Sequence, residues 1–499
     1  MGLKTGLLWY IILSGRIISR REGYELSGSS GISGGLNVFG VNLGLARIKR
    51  LMFLLGDPQK QYKTIHVTGT NGKGSVTAML ASCLQAAGIR TGMYISPHLS
   101  SYTERMVIDG QPVSKQQFAE TLSVVRDICE FMQGEGDEHP TQFEVLTAAA
   151  FLLFQKAGVE YAVIEVGLGG LLDSTNVIVP EVSVITNVTF EHADKCGGTL
   201  EGIATHKAGI IKDGVPVVTG AEGEALEIIA KMAQEKKADL YVAGRDFAAE
   251  AMKPLGQLSI PPNLGATGYG VQDRALTDMQ MEALSKLHLD CNECEAGQQL
   301  VAFNGKNPLF ANMNYKLSLL GLHQVSNSGL AAAVFMVLAA NDLRFTQKAL
   351  KKGMKQVIWP GRFELLSGYT YKVLIDGAHN PAGIKTLRQS LDYYFPHSKR
   401  IFLLGILKDK DYKFMLEYLL RPEDVVVMTT PDSQRAAEPE QLLPYVVSEA
   451  KEAVPEPAKA LKRAQDLAEQ AGNPEETTLI CAGSLYLIGA LREMLLQKH

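Results

Sequence analysis

From about residue 40 the chain alternates short apolar runs with longer stretches whose apolar positions recur every three to four residues. "TIHVT", "TGMYIS", "YAVIEVG", "VSVITNV" and "VPVVTG" read as strands. "YAVIEVG" is continuously apolar, as expected of a strand covered on both faces. Between them, "SVTAMLASCLQAAG" places Val76, Met79, Leu80, Cys83 and Leu84 on one helical face, with Gly88 as the stop. "TQFEVLTAAAFLLFQKAG" reads as an apolar helix ending at Gly158. Such alternation implies an α/β fold with a mostly parallel sheet and crossover helices. The rhythm breaks from about 250 to 300, where "PLGQLSIPPNLGATGYG" reads as loop. It resumes with the helix-like "NSGLAAAVFMVLAAN". Pro360 and Gly361 in "VIWPGRFE" punctuate a hinge. Beyond it, "YKVLID", "RIFLLG", "DVVVMTT" and "TTLICAG" predict a second, smaller, doubly wound α/β domain. The expected organisation is an extension over 1–37, a P-loop-type ATPase domain over 38–357 with an insertion at about 250–300, and a C-terminal domain over 358–499.

Composition alters this picture little. The chain has 499 residues, 46% hydrophobic and 20% charged, with a formal net charge of -4, so nothing marks it for nucleic acid or an anionic membrane. Six cysteines in this length make no disulfide framework and suit the reducing cytoplasm. The run "GLLWYIIL" is too short to span a membrane, and "SGSSGISGG" after it reads as flexible linker. Cys291 and Cys294 form one CxxC pair, weak ground for zinc without a second.

The candidate chemistry begins at "HVTGTNGKGS". Gly72 and Lys73 fit a nucleotide loop, although Val67 stands where that loop has its first glycine and Gly74 comes before Ser75. Backbone N–H groups turned around an anion, a helix N-terminus and the Lys73 ammonium suit a triphosphate. Ser75 or Thr70 offers a hydroxyl near magnesium. A bare tight turn is the alternative reading.

That stretch resembles the signature of folylpolyglutamate synthases and the bifunctional dihydrofolate synthases, within the Mur ligase superfamily. "SPHL", "FEVLTAAAF", "EVGLGGLLDSTNV", "EHADKCGGTLEGIATHKAGIIK", "GLHQVSN", "GRFE" and "DGAHNPAG" are similar to family motifs in the expected order. Mur ligases usually carry threonine where Gly74 sits, and Glu191 stands where this family commonly has aspartate. The resemblance implies magnesium held by Ser96, Glu165 and His192, and catalytic roles for Lys73, Lys207 and His192, with Lys207 carbamylated. It implies ATP contacts from Gly72, Lys73, Gly74, Ser75, Asn327, Arg362, Asp376 and His379. Folate or dihydropteroate would meet Thr141, Phe143, Glu144, Leu172, Asp173 and Ser174. Taken alone, Glu165 reads equally as a structural strand end, Lys207 as a helix-surface lysine and Phe143 as helix core. The implied reaction joins L-glutamate to folate, to dihydropteroate or to both through an acyl phosphate, in a monomer. A Mur-type cell-wall ligase and a non-catalytic nucleotide-binding module are the alternatives.

Overall fold

The computed structural model describes residues 44–190, 197–252 and 298–497. The 1–37 extension, Glu191 and His192, and nearly all of the 250–300 insertion with Cys291 and Cys294 lie outside the described residues.

The first sheet has eight strands: β1 (Lys63–Thr68), β2 (Thr91–Tyr94), β3 (Met106–Ile108), β4 (Gln111–Pro112), β5 (Tyr161–Glu165), β6 (Val182–Ile185), β7 (Val217–Thr219) and β8 (Leu240–Val242). Their spatial order is β4-β3-β2-β5-β1-β6-β7-β8. Pairing is parallel from β2 to β8, and β3 and β4 add an antiparallel edge. Alternate residues of β5 feed opposite cores. Val163 joins the cluster beneath helices Lys73–Ala86 and Leu322–Ala339, whereas Ala162 and Ile164 join the one beneath Lys115–Gly134 and Gln142–Lys156. This two-sided cover explains the continuous apolar run. Helix Leu322–Ala339 is long and apolar enough to cross a membrane, but 78% of that stretch is buried inside the protein.

The chain leaves β1 for β2, returns through β5 on one flank of β1, and then places β6 on the other. The carboxyl end of β1 is therefore a topological switch point, where open α/β sheets bind ligands.

A three-stranded antiparallel sheet, order β11-β10-β9, was not expected from the sequence pattern. It comprises β9 (Phe247–Ala251), β10 (Gln299–Gly305) and β11 (Met313–Leu317). Phe247 stacks on Phe303 at 5.8 Å, with Phe310 edge-on at 5.4 Å.

After the link at Pro360 come β12 (Glu364–Leu366), β13 (Lys372–Ile375), β14 (Lys399–Leu404), β15 (Val425–Met428), β16 (Ala450–Ala453) and β17 (Thr477–Ala482), ordered β12-β13-β17-β14-β15-β16. Only β12 runs antiparallel to its neighbour. Helices Pro381–Tyr394 and Tyr412–Leu419 cover one face, and Pro457–Glu469 and Leu485–Leu496 the other. The protein is thus an α/β chain with an eight-stranded, mostly parallel sheet followed by a smaller doubly wound sheet.

The two sheets are joined by more than the linker. Leu99 packs its side chain on Gly361, and its carbonyl lies so close to Gly489 in the last helix that an added Cβ would collide with it. In that same helix, Arg492 clamps Glu364 through contacts of 2.8–3.1 Å, and Glu364 accepts from Gly361 N at 2.7 Å.

Candidate active site

Four loops meet at the carboxyl ends of β1, β2, β5 and β6. The loop after β1 ends at Gly72, whose φ of +83° is a conformation that side chains rarely adopt. No side chain caps the helix that starts at Lys73. Its first internal bond runs from Val76 N to Gly72 O at 2.9 Å, which leaves the N–H groups of Lys73, Gly74 and Ser75 to meet an anion. Lys73 Nζ donates to the Gly69 and Thr70 carbonyls, each at 3.0 Å, so the ammonium is held inside the loop's own curve.

The loop is braced by residues that the sequence reading passed over. Thr186 Oγ1 donates to Asn71 O at 2.6 Å, and Asn71 N donates to Asn187 Oδ1 at 2.9 Å. Thr70 Oγ1 accepts from Thr189 N at 3.0 Å and donates to Thr189 O at 3.2 Å. The Thr70 hydroxyl is thereby committed, which leaves buried Ser75 as the better hydroxyl for a ligand. "TNVT" directly after β6 was the available signal, because polar residues at a parallel strand's carboxyl end belong to the site side.

Glu165 ends β5 and is 5% exposed. Among the described residues it accepts one hydrogen bond, from Ser96 N to Oε2 at 3.1 Å. Burial pushes its pKa up to about 7, against the pull of Lys73, the Ser96 amide, Arg362 and Arg105. Ser96 and Glu165 are therefore adjacent through the Ser96 backbone, while the third expected ligand, His192, falls outside the described residues. No cluster of three His, Cys, Asp or Glu side chains able to hold a metal occurs among the described residues. Arg105 was not foreseen. Its Nε donates to His98 Nδ1 at 2.9 Å, and His98 packs on Tyr102 at 4.3 Å. Burial and Arg105 hold the His98 pKa down at about 4.

The hinge brings in the second sheet. Asp376 at the end of β13 is buried and accepts from Phe363 N and Ala378 N, both at 2.8 Å. Phe363 is held at φ +48°, a strained value for a non-glycine residue, immediately after Arg362. The Arg362 guanidinium is buried, which lowers its pKa, and it feels both Asp376 and Glu165. His379 Nδ1 bonds the Gly377 carbonyl at 2.7 Å. Asn380 caps the next helix through Gly383 N at 2.7 Å, and its amide reaches Asn71 Oδ1 of the phosphate loop at 3.4 Å. On the first sheet's side, Asn327 lies directly over Gly72.

Around the loop after β5, the Phe143 ring presses on Gly167 and sits 6.2 Å from Tyr94. Asp173 is buried and fastens this loop, accepting from Leu168 N at 2.9 Å, Thr175 N at 3.0 Å and Thr175 Oγ1 at 2.5 Å. Ser174 is buried beside it, whereas Leu171 and Leu172 are 40% and 36% exposed, an apolar lip. Lys207, 6% exposed, packs its backbone against Gly170 in the same loop. Thr141 and Glu144 are arranged differently. Their side chains cap each other's backbone at the start of Gln142–Lys156, and Glu144 Oε2 accepts from Arg47 Nε at 3.1 Å. Sequence pattern could not link Arg47 to a residue 97 positions away.

The Mur ligase middle domain family model matches residues 67–259, and the dihydrofolate synthetase C-terminal domain model matches 362–495. A dihydrofolate synthase/folylpolyglutamate synthase of Bacillus subtilis is 32% identical over 460 residues, covering 92% of this chain and 96% of that protein. Mycobacterium tuberculosis folylpolyglutamate synthase, solved with ADP and AMPPCP, superposes with a TM-score of 0.74 at 30% identity, over 93% of this chain and 97% of that one. An Escherichia coli protein solved with DHPP and ADP gives a TM-score of 0.72 at 27% identity, over 92% and 94%.

Proposed function

We propose a reaction from the premise that this chain belongs to the folylpolyglutamate synthase and dihydrofolate synthase family of the Mur ligase superfamily, and is an ATP-dependent ligase. The reaction adds L-glutamate to a folate γ-carboxylate, to the carboxylate of dihydropteroate, or to both. A carboxylate is a poor acylating agent, because its oxygen does not leave. Attack of that oxygen on the ATP γ-phosphorus releases ADP and forms an acyl phosphate. The glutamate amine then attacks the carbonyl carbon, a proton is lost from nitrogen, and phosphate departs to leave the amide.

The observation that carries this reading is the convergence of the Lys73 loop, Glu165 and Arg362. They come from three separated segments, and Lys73 and Arg362 both act on the Glu165 carboxylate. Lys73 and the uncapped helix amides hold the phosphates, with Gly72, Gly74 and Ser75 shaping that loop. Arg362, Asp376, Asn327 and His379 form the nucleotide's second wall, from the C-terminal domain over about 358–499 and from helix Leu322–Ala339. Glu165 fits a magnesium ion, because this buried carboxylate accepts a single hydrogen bond and keeps lone pairs for a cation in addition to the charges around it. Ser96 is its neighbour, and His192 completes the proposed set. Magnesium commonly uses one or two carboxylates together with substrate phosphates, and when bound it neutralises charge on the phosphate oxygens. Lys207, buried against the Gly170 loop, is proposed to carry a carbamate.

Phe143, Leu172 and the loop fastened by Asp173 and Ser174 form the acceptor's apolar wall, suited to a flat ring system. Thr141 and Glu144 support that wall through the capped helix start. The arrangement of the two sheets excludes water from the labile acyl phosphate. Purified protein with ATP, magnesium and L-glutamate should raise the mass of a folate or dihydropteroate acceptor by one glutamyl unit. Absence of product from both acceptors, with ATP still bound, would remove the assignment.

A further inference from the structure

His66 is a titratable group in β1, the strand that leads into the phosphate loop, and nothing in the reaction above uses it. It is completely buried. Its neighbours Ile65 and Val67 join the cluster beneath helices Lys73–Ala86 and Leu322–Ala339, so strand alternation turns His66 and Thr68 to the opposite face. Among the described residues, the ring makes one hydrogen bond, between Nε2 and Thr175 Oγ1 at 2.9 Å, and Nδ1 has no partner. Thr175 Oγ1 in turn lies 2.5 Å from Asp173 Oδ1. Asp173 also faces the N–H groups of Leu168 and Thr175, so its carboxylate is an acceptor throughout. The single hydroxyl proton of Thr175 therefore goes to Asp173, and the hydroxyl accepts from His66. That makes the imidazole the Nε2–H tautomer. Burial and the nearby Lys212 charge hold its pKa down at about 3, so the ring is neutral. Two residues on, Thr68 Oγ1 donates to Gly169 O at 2.7 Å. Both ties end in one loop, 167–176, which carries Leu172, Asp173 and Ser174 and packs Gly170 on the backbone of Lys207.

We propose that His66 is a positioning residue: through Thr175 and Asp173 it sets where the acceptor's loop after β5 stands relative to the phosphate loop that β1 enters next. The inference rests on the acceptor reading above and adds the link that aligns the two substrates. Burying an imidazole costs free energy that an apolar side chain at the same place would not, and here the compensating bond reaches only that loop. One strand thus carries both the tie and, directly after Thr68, the start of the phosphate loop. An acyl phosphate forms only when the acceptor oxygen approaches the γ-phosphorus in line, so a small shift of one wall against the other lowers the rate. Side chains behind the contact surface are what hold such an alignment.

The test uses the full chain and three variants. His66→Leu fills the space without a donor, His66→Gln restores an N–H at a similar reach, and Thr175→Val removes the hydroxyl between the two ends. In the ligand-free protein, amide hydrogen exchange over 167–176 should quicken about tenfold in His66→Leu and Thr175→Val, the size of one lost hydrogen bond. It should stay near wild type in His66→Gln, and exchange over 69–76 should not change in any variant. In turnover, His66→Leu and Thr175→Val should each lose about tenfold in kcat/KM for the folate or dihydropteroate acceptor, with KM for ATP unchanged and His66→Gln rescued. The double variant should lose no more than either single one, because the two groups act in series. Unchanged exchange in the loop overturns the proposal. So does an equal rise in KM for ATP, or a lower thermal midpoint with acceptor kinetics intact. If the loop responds as expected while wild type glutamylates neither acceptor, the tie from His66 stands and the acceptor reading falls.

Discussion

Glu165 and Asp376 are both carboxylates at the ends of buried parallel strands, one in each sheet, and both face Arg362. Burial raises both pKa values. They differ in what holds them. Asp376 accepts from two backbone amides, Phe363 and Ala378, and so fixes the hinge in its strained shape. Glu165 accepts from one amide among the described residues and has three cations acting on it from nearby. In the proposed reading the first carboxylate fastens the hinge that shapes the nucleotide's second wall, while the second keeps coordination capacity for a cation that arrives with the substrate. Position at a strand end thus marks a functional region, and the hydrogen-bond inventory separates the fastening from the ligand.

The largest expected break of this contrast is Glu165→Gln. It keeps the shape and the Ser96 bond but removes the charge. We expect kcat/KM to fall by about a thousandfold, equivalent to about 4 kcal/mol, and the magnesium dependence of nucleotide binding to vanish. If Glu165→Gln stayed active while Asp376→Asn was inactive, the two roles would be reversed.

Next comes the pH dependence of stability without divalent cation. Burial pushes the folded Glu165 carboxyl up to about 7, against 4.5 for the free side chain. The folded state therefore binds more protons than the unfolded chain between these values. Stability from this group is full below about 4.5 and falls as pH rises through about 7, by about 3 kcal/mol in all. Urea titrations at several pH values should show this slope, and Glu165→Gln should flatten it. A slope that survives the substitution would assign it elsewhere.

A smaller effect is expected from Asp376→Asn. The amide can accept from only one of the two backbone N–H groups and sets its own donor against the other. Stability should fall by about 1–3 kcal/mol, read as a lower urea midpoint with unchanged m-value, and activity should fall less than in Glu165→Gln. A fully stable, inactive Asp376→Asn protein would move Asp376 to the chemistry.

Much of this was legible in the residues. Strands were readable where burial on both faces makes the run nearly continuously apolar, as in β5. Lys73, Glu165, Arg362 and Asp376 were readable because each sits in a local motif. The sheet formed by β9, β10 and β11 was not, since β9 and β10 pair across the insertion and no local turn announces their register. Nor were Asn187 and Thr189, whose partners lie more than a hundred residues away in the phosphate loop. Glu144 is the instructive case. Its motif suggested substrate; in the structure Oε2 serves a helix start and Arg47, while Oε1 is buried without a partner.

The seat of Leu99 against Gly489 gives the last helix an unexpected reach. Ser96 and Leu99 lie in one loop, so a displacement of Gly489 bears on the segment whose amide touches Glu165. A clip, tag or bulky replacement near the carboxyl terminus would then act as a remote mute on catalysis, silencing turnover from the far end of the polypeptide while every reacting group remained intact.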